Sequence, residues 1–233
     1  MFVKELFSRQ TLIGNGIILL LMIGLVLWAE VSPGSMARSS VEDGPMEYLT
    51  AVFLALSCVG FLVVMRKSKF LREKGSWRAY VFVLAWALLM FVFAGEEISW
   101  GQRILGFQTP ESVRGANVQG EFNVHNLGFM VSPKYRLLSL MMFVTGILLP
   151  GMALFSWGKR LFQRFAFPVL PLCYSGLFVG SYLFGKYYYY TLAIDAASET
   201  RELLMAVGMC AFAIHGAIRP DDLFRMKRVA GES

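Results

Sequence analysis

The amino-acid sequence predicts an all-α protein: a polytopic membrane helix bundle of about six transmembrane helices, with both termini in the cytoplasm. The first reason is composition, because 56% of the 233 residues are hydrophobic and only 16% are charged, whereas about 25% of the residues of a soluble domain carry a charge. The second reason is a series of long uncharged segments. The third is the unequal distribution of Lys and Arg between the connections that join these segments.

The uncharged segments are long enough to cross a bilayer, which takes roughly 20 consecutive apolar residues in a helix. We predict spans at about 11–29, 46–65, 77–95, 136–157, 167–189 and 200–218. The first is longer than the apolar part of a signal peptide, so a retained signal anchor is the favoured interpretation. No internal repeat or soluble domain is visible. We therefore predict a single integral membrane domain over 1–233, with 96–135 as its main outer loop.

The Lys and Arg residues decide the predicted orientation, since cytoplasmic connections carry an excess of both. With the N-terminus inside, fifteen of the 22 basic residues fall on the inner side of the membrane and seven on the outer side. These residues flank the helices and form no patch interleaved with aromatic residues. The net charge of +6 therefore does not indicate nucleic-acid binding, and membrane lipids are the predicted surroundings.

Eleven of the sixteen acidic residues are assigned to the outer side, several of them at the mouths of predicted helices. The most concentrated segment is GEEISWGQR, in which Glu96 and Glu97 directly follow an apolar helix. If that helix continues, Glu96, Ser99 and Arg103 share one face, and Glu97 points about 100° away. The alternative is an interfacial Glu–Arg pair with Trp100 as an anchor in the membrane surface.

Two further helices are predicted to bring acids to the same side of the membrane. Glu47 lies one turn inside the second helix. Asp195, Glu199 and Glu202 share one face at the start of the last helix. The alternative for this last group is a solvated helix N-terminus, whose macrodipole favours acidic side chains.

The outer loop contains the segment NVQGEFNVHNLG, with one of the two histidines. Glu121, Asn123 and His125 alternate there, so an extended chain places all three on one side. A helix would still bring Glu121 next to His125. We therefore expect Glu121 to orient the imidazole of His125. The other histidine, His215, lies near the inner end of the last helix and is interpreted as structural.

The segments GEEISWGQR and QGEFNVHN resemble a group of uncharacterised bacterial polytopic membrane proteins, over most of the chain from EDGPMEY to the last helix. That resemblance implies a bacterial inner-membrane location and carries no activity with it. The Glu96–Glu97 pair is also similar to the Glu-Glu-x-x-x-Arg motif of CAAX-protease-like intramembrane enzymes. The chain departs from that motif set at three places: Arg103 comes late, Phe122 is one residue too close to His125, and His215 is followed by Arg219 instead of Asn.

Together these segments predict one polar cavity that opens to the outer face, because ionisable residues at membrane depth usually face a bundle interior or a wet cavity. The favoured function is a hydrolase or transferase that acts on a lipid or lipid-linked substrate. Glu96 or Glu97 would be the general acid or base, with His125 assisting and Arg103 holding a phosphate or an oxyanion. The candidates for substrate binding are Glu47, Ser99, Gln102, Glu121, Asn123, Asn126, Asp195, Glu199 and Glu202.

A divalent metal ion is an option that this function does not require, since carboxylates with a histidine suit Mn, Fe or Zn. No spacing as specific as His-Glu-x-x-His is present. Two functions of other classes stay open: a non-catalytic scaffold or assembly protein, and a proton-coupled transporter. The transporter is disfavoured because no inverted repeat and no acids near the middle of a helix are apparent.

Overall fold

The computed structural model describes residues 9–41, 44–72, 77–188 and 194–224, and for 131–135 and 194–195 it describes the backbone. These residues form helices joined by connections, the longest of which is 98–130. They contain no β-strand, only an isolated bridge between Asn117 and Leu127. The all-α class predicted from the sequence is therefore confirmed.

We number the α-helices of the described residues in chain order. They are α1 (Arg9–Val31), α2 (Pro33–Ser39), α3 (Pro45–Lys67), α4 (Lys69–Arg72), α5 (Trp77–Glu97), α6 (Gln102–Leu105), α7 (Glu111–Arg114), α8 (Val131–Phe143), α9 (Leu149–Met152), α10 (Ser156–Phe165), α11 (Ser175–Tyr188) and α12 (Ile194–Ile218). Short 3-10 helices lie at Ser99–Gly101 and Leu172–Tyr174, and a π-helix at Val144–Leu148 continues α8.

Among the described residues, four helices are long and apolar enough to cross a membrane: α1, α3, α5 and the part of α12 from Ala196 to Ile218. A fifth span is counted if Arg136–Met152 and Ser156–Phe165, which are bent by 114°, are taken as one. The helices thus have the length and composition of a membrane protein. The predicted number of six spans stays a prediction.

The predicted span 136–157 is not one straight helix. The chain leaves the helix after Met152 and resumes as α10 at a steep angle. Gly158 makes this bend possible, because a Cβ atom there would collide with the backbone oxygen of Met152.

The predicted span 167–189 begins later than the sequence indicated. Its α-helix starts only at Ser175, after a 3-10 turn. Pro168 and Pro171 lie in the non-helical segment before it, and proline lacks the backbone N–H group that a helix interior requires. Position 189 lies outside the described residues.

Helix α3 lies at the centre of the bundle, packed against both α5 and α12. It runs parallel to α12, since Met46 contacts Thr200 near one end and Gly60 meets Ala213 near the other. A Cβ atom on Gly60 would lie 2.8 Å from that of Ala213. Small residues at such a crossing let two backbones approach closely, which increases their van der Waals contact.

The acids predicted on three helices lie at one end of the bundle. Helix α5 runs antiparallel to α3, and Phe61 stacks on Trp86 with 6.3 Å between the ring centroids. Glu47 in the first turn of α3, Glu97 at the end of α5 and Glu202 in the early part of α12 therefore reach similar heights. Segment 98–130 leaves from the same place, so we call this the loop end of the bundle.

Phe178 of α11 connects three helical segments. Its side chain is fully buried and lies against Gly146 of the π-helix and Gly208 of α12. A Cβ atom at either glycine would collide with Phe178. Close packing around this ring therefore depends on the absence of a side chain at both positions.

Replacing Gly146 by Ala is expected to destabilise the folded protein by about 1–3 kcal/mol, because the added methyl group overpacks the contact with Phe178. Thermal unfolding in detergent, followed by tryptophan fluorescence, would show this as a lower Tm. Gly151→Ala is the matched control, since nothing lies within 4 Å of a Cβ atom at Gly151. Equal Tm values for the two variants would contradict the packing described for Phe178.

Candidate functional site

Helix α5 ends abruptly after its two glutamates. Ser99, Trp100 and Gly101 have φ angles of 46°, 55° and 76°, so three successive residues adopt the left-handed region. For Ser99 and Trp100 such a conformation costs of order 1–3 kcal/mol each, and surrounding contacts must hold it in place. The condition on which the shared face depended is therefore not met: the helix ends at Glu97, and Ser99 and Arg103 do not share a helical face with Glu96.

Trp100 folds back over the last turn of α5. Its indole ring covers Gly95, where a Cβ atom would lie 2.9 Å from the ring. Its Nε1–H donates a hydrogen bond of 2.7 Å to Glu96 Oε1, and its ring meets that of Phe91 edge to face. These contacts stabilise the turn that reverses the chain.

Glu96 is the first of two carboxylates that organise the loop. Its Oε2 accepts hydrogen bonds from the backbone N–H groups of Val124 and His125, at 2.7 and 2.9 Å. The same oxygen lies 3.4 Å from Nδ1 of His125. With the indole of Trp100 on Oε1, both oxygens of Glu96 are engaged. Glu96, and not Glu121 as expected from the sequence, is therefore the carboxylate that orients His125.

Glu121 is the second organising carboxylate, and it is buried. Its Oε2 accepts hydrogen bonds from the hydroxyl of Ser99 at 2.6 Å and from the amide of Asn123 at 2.9 Å. Its Oε1 forms an ion pair with Arg103 at 2.5 Å. The Asn123 amide also donates to Ser99. Arg103 therefore forms an ion pair with Glu121 within the loop, a pair that the sequence did not predict.

Amide side chains complete the loop. Asn117 donates to the backbone oxygen and to the side-chain oxygen of Asn123, and its own oxygen accepts from the N–H groups of Gln119 and Glu121. Asn126 donates to Gln119. Asn117 and Gln119 were not predicted as site residues. The segment GANVQGEF, rich in glycine and amides, is typical of turns, and this is the signal that could have indicated a structured loop here.

Gln102 links two parts of the same loop. Its Nε2 donates to the hydroxyl of Thr109 at 2.7 Å, and its Oε1 accepts from the N–H group of Phe122 at 2.8 Å. Both polar atoms of this side chain therefore support the fold of the segment. This places Gln102 among the structural residues of the loop.

A cavity of about 710 Å³ opens beneath the loop, between α3, α5, α8 and α12. Its wall is mainly apolar, and the polar residues that line it are Glu96, Glu97, His125, Thr145 and Glu202. Binding sites for small molecules have this volume and this character: a hydrophobic enclosure with a few polar groups. The cavity brings together residues from the four helices and the loop, which lie far apart in the sequence.

The deepest part of the cavity comes from residues that the sequence did not indicate. Leu54, Thr145 and Met205 are buried and line it. Thr145 donates its hydroxyl proton to the backbone oxygen of Met141. Glu202 is also buried, and it accepts a hydrogen bond of 3.1 Å from Ser198. Apolar residues inside spanning helices look alike in the sequence, so no signal distinguished these from lipid-facing ones.

Most of the predicted site residues thus belong to one of two groups. Glu96, Glu97, His125 and Glu202 line the cavity. The loop network holds Ser99, Gln102, Arg103, Glu121, Asn123 and Asn126. Glu47 and Glu199 lie at the loop end without lining the cavity, and the side chain of Asp195 lies outside the described residues.

The described residues contain no group of three or more His, Cys, Asp or Glu side chains arranged to hold a metal ion. The divalent metal ion stays a prediction from the sequence, and the described residues show no set of ligands for it. The carboxylates and the imidazole of the cavity are the groups from which we argue the chemistry.

No family model, curated protein or solved structure matches this chain. Both resemblances drawn from the motifs therefore stay predictions. The geometry of the cavity and of the loop is the basis for a proposed function.

The different surroundings of the two adjacent glutamates predict different effects of their removal. In Glu96→Ala the N–H groups of Val124 and His125 lose a charged acceptor, a loss of about 1.5–3 kcal/mol. Hydrogen–deuterium exchange of these two amides is expected to accelerate roughly tenfold to a hundredfold. Glu97→Ala is the matched control and should leave them unchanged. The same acceleration in both variants would contradict the role assigned to Glu96.

Proposed function

We propose that this protein is a membrane-embedded hydrolase or transferase whose substrate is a lipid or a lipid-linked molecule. The single observation that carries the proposal is the cavity, in which Glu97, Glu202 and His125 meet a largely apolar wall. An aliphatic chain fits such a wall, and the ionisable groups supply proton transfer at the polar end. The site belongs to the loop end of the bundle.

We further propose that the loop end faces away from the cytoplasm, in a bacterial inner membrane, with both termini inside. The support is the Lys/Arg distribution, because Arg66 and Lys67 end α3 at the opposite end of the bundle. Arg78, at the start of α5, lies 6.0 Å from the ring of Phe165. That contact brings the basic helix α10 to the same opposite end, where a positively charged face suits the cytoplasmic surface.

His125 is the general base in this proposal. The carboxylate of Glu96 beside Nδ1 favours the tautomer with a proton on Nδ1, which leaves Nε2 as the basic nitrogen. In serine hydrolases a buried carboxylate acts on histidine in this way, by holding the tautomer and the orientation of the ring. Glu96 is accordingly a positioning residue, because its oxygens are engaged by the loop and by Trp100.

The proposed reaction transfers one proton in each direction. Nε2 of His125 takes a proton from the attacking water or acceptor hydroxyl, whose oxygen forms a bond to the acyl carbon or phosphorus of the substrate. The ester bond to the leaving group breaks, and Glu97 in its protonated form gives the leaving oxygen a proton. Return of the proton from His125 to Glu97 restores both residues. The attraction between the opposite charges that develop on His125 and Glu97 is stronger in a cavity of low dielectric constant than in water.

A second candidate, the non-catalytic scaffold, is favoured by the surface of the loop. Val118 and Phe129 are both 71% exposed, and a rigid loop with exposed apolar side chains is typical of a surface that contacts a partner or the membrane. The loop network of Glu121, Asn117 and Asn123 would then serve the shape of that surface. The enzyme requires Glu97 and His125 in the cavity, whereas the scaffold requires only the shape of the loop surface.

The enzyme proposal predicts that His125→Ala and Glu97→Gln each lower turnover about 10²–10⁴-fold, the contribution of a general acid or base. The measurement is release of free fatty acid or head group, by mass spectrometry, from vesicles of mixed phospholipids and neutral glycerolipids that contain the purified protein. Glu111→Gln is the matched control, because Glu111 is an exposed acid of the same loop that does not line the cavity.

Turnover is compared only between variants whose amount in the membrane and whose Tm equal those of the natural protein. Normal turnover in His125→Ala would overturn the catalytic role. If the natural protein releases no product, and if Val118→Ser or Phe129→Ser abolishes its function in the cell, the scaffold is favoured.

A further inference from the structure

One side of the cavity is formed by residues that are also on the outer surface of the bundle. Val92 of α5 and Leu137 and Leu140 of α8 line the cavity, yet they are 41%, 55% and 58% exposed. Side chains that face both the cavity and the surroundings mark an opening. Val124 of the loop also lines the cavity and is 52% exposed. The mouth of the cavity therefore lies between α5 and α8 and reaches up to Val124 of the loop.

The packing of the helices agrees with an opening at this place. Helix α3 packs along both α5 and α12, and α8 packs on α11 and continues into the π-helix. In the described residues, α8 and α5 are not among the helix pairs that pack together. Leu54 and Met205 close the cavity at the back, where both are buried.

The position of the mouth along the axis of α5 determines which ligands can enter the cavity. Val92 lies five residues before Glu97, which is ~7.5 Å along a helix axis. Val92 belongs to the apolar part of α5, a helix long and apolar enough to cross a membrane. The mouth of the cavity therefore opens to the hydrocarbon of the bilayer, and a ligand with an acyl chain can enter sideways without crossing water.

The charges at the polar end select the head group of such a ligand. The carboxylates of Glu96 and Glu202 line one cavity, together with Glu97, the proton donor of the proposed reaction, and the imidazole of His125. An anionic head group placed beside them meets repulsion that is strong in a medium of low dielectric constant. Hydroxyl groups instead donate hydrogen bonds to carboxylates, and bonds to a charged acceptor are among the stronger ones.

We infer that the cavity admits an uncharged, hydroxyl-bearing acyl glycerolipid sideways from the bilayer, between α5 and α8, and discriminates against anionic lipids. The inference rests on the proposed function, whose substrate class it narrows. The acyl chain lies against Leu138 and Met141, and the hydroxyl group faces the carboxylates.

The test is direct binding of two lipids with identical acyl chains to the purified natural protein in detergent. Native mass spectrometry with dioleoylglycerol and dioleoylphosphatidate as probes is expected to show at least tenfold tighter binding of dioleoylglycerol. Leu140→Trp, which fills the mouth, is expected to weaken that binding at least tenfold. Leu88→Trp is the matched control, because Leu88 is similarly exposed on α5 but does not line the cavity.

The outcomes separate this inference from the proposed function. Equal or tighter binding of dioleoylphosphatidate, or an equal effect of Leu140→Trp and Leu88→Trp, overturns the inference. If dioleoylglycerol does not bind while lipid turnover still depends on His125, the inference fails and the proposed function stands. If it binds as expected and His125→Ala retains the binding, but no lipid is turned over, the inference stands and the catalytic proposal fails.

Discussion

The site depends on the hydrogen bonds that the carboxylate of Glu96 accepts. This carboxylate joins the last turn of α5 to the backbone of Val124 and His125, residues that are nearly thirty positions further along the chain. It also accepts the indole N–H of Trp100, which stabilises the left-handed turn after the helix. One side chain therefore sets where α5 ends, where the loop returns and how His125 faces the cavity.

The need for such a carboxylate follows from the surroundings of the loop. Helices that cross a membrane satisfy their backbone hydrogen bonds internally, but an irregular loop at their ends has N–H groups without helical partners. Glu96 and Asn117 accept hydrogen bonds from backbone N–H groups of the loop. Glu121 is bonded to Ser99 and Arg103, at the start of the same segment. Most polar residues of the loop are thus explained by its fold, and Glu97, Glu202 and His125 are ionisable residues that line the cavity.

The cavity gives these three residues their significance. A carboxylate at the end of a membrane helix is common in a solvated interface, but here Glu202 is buried beside apolar residues of four helices. Burial of an ionisable group is unfavourable unless it is compensated, and Ser198 donates a hydrogen bond to it. An apolar chamber with ionisable groups at one end matches an amphiphile, whose two parts require the two environments. The opening that we infer between α5 and α8 would give such an amphiphile a path from the bilayer into the cavity.

The sequence by itself determined the helical class, the segments apolar enough to span a membrane and the gathering of acids toward one end, because hydropathy and helical periodicity are properties of each segment alone. It also indicated the GEEISWGQR and NVHN segments as parts of one site. Only the tertiary structure decided the partners: Glu96 with His125, and Arg103 with Glu121. The physical reason is the turn at Ser99–Gly101, since helical periodicity ends where φ becomes positive and cannot predict which residues meet beyond it.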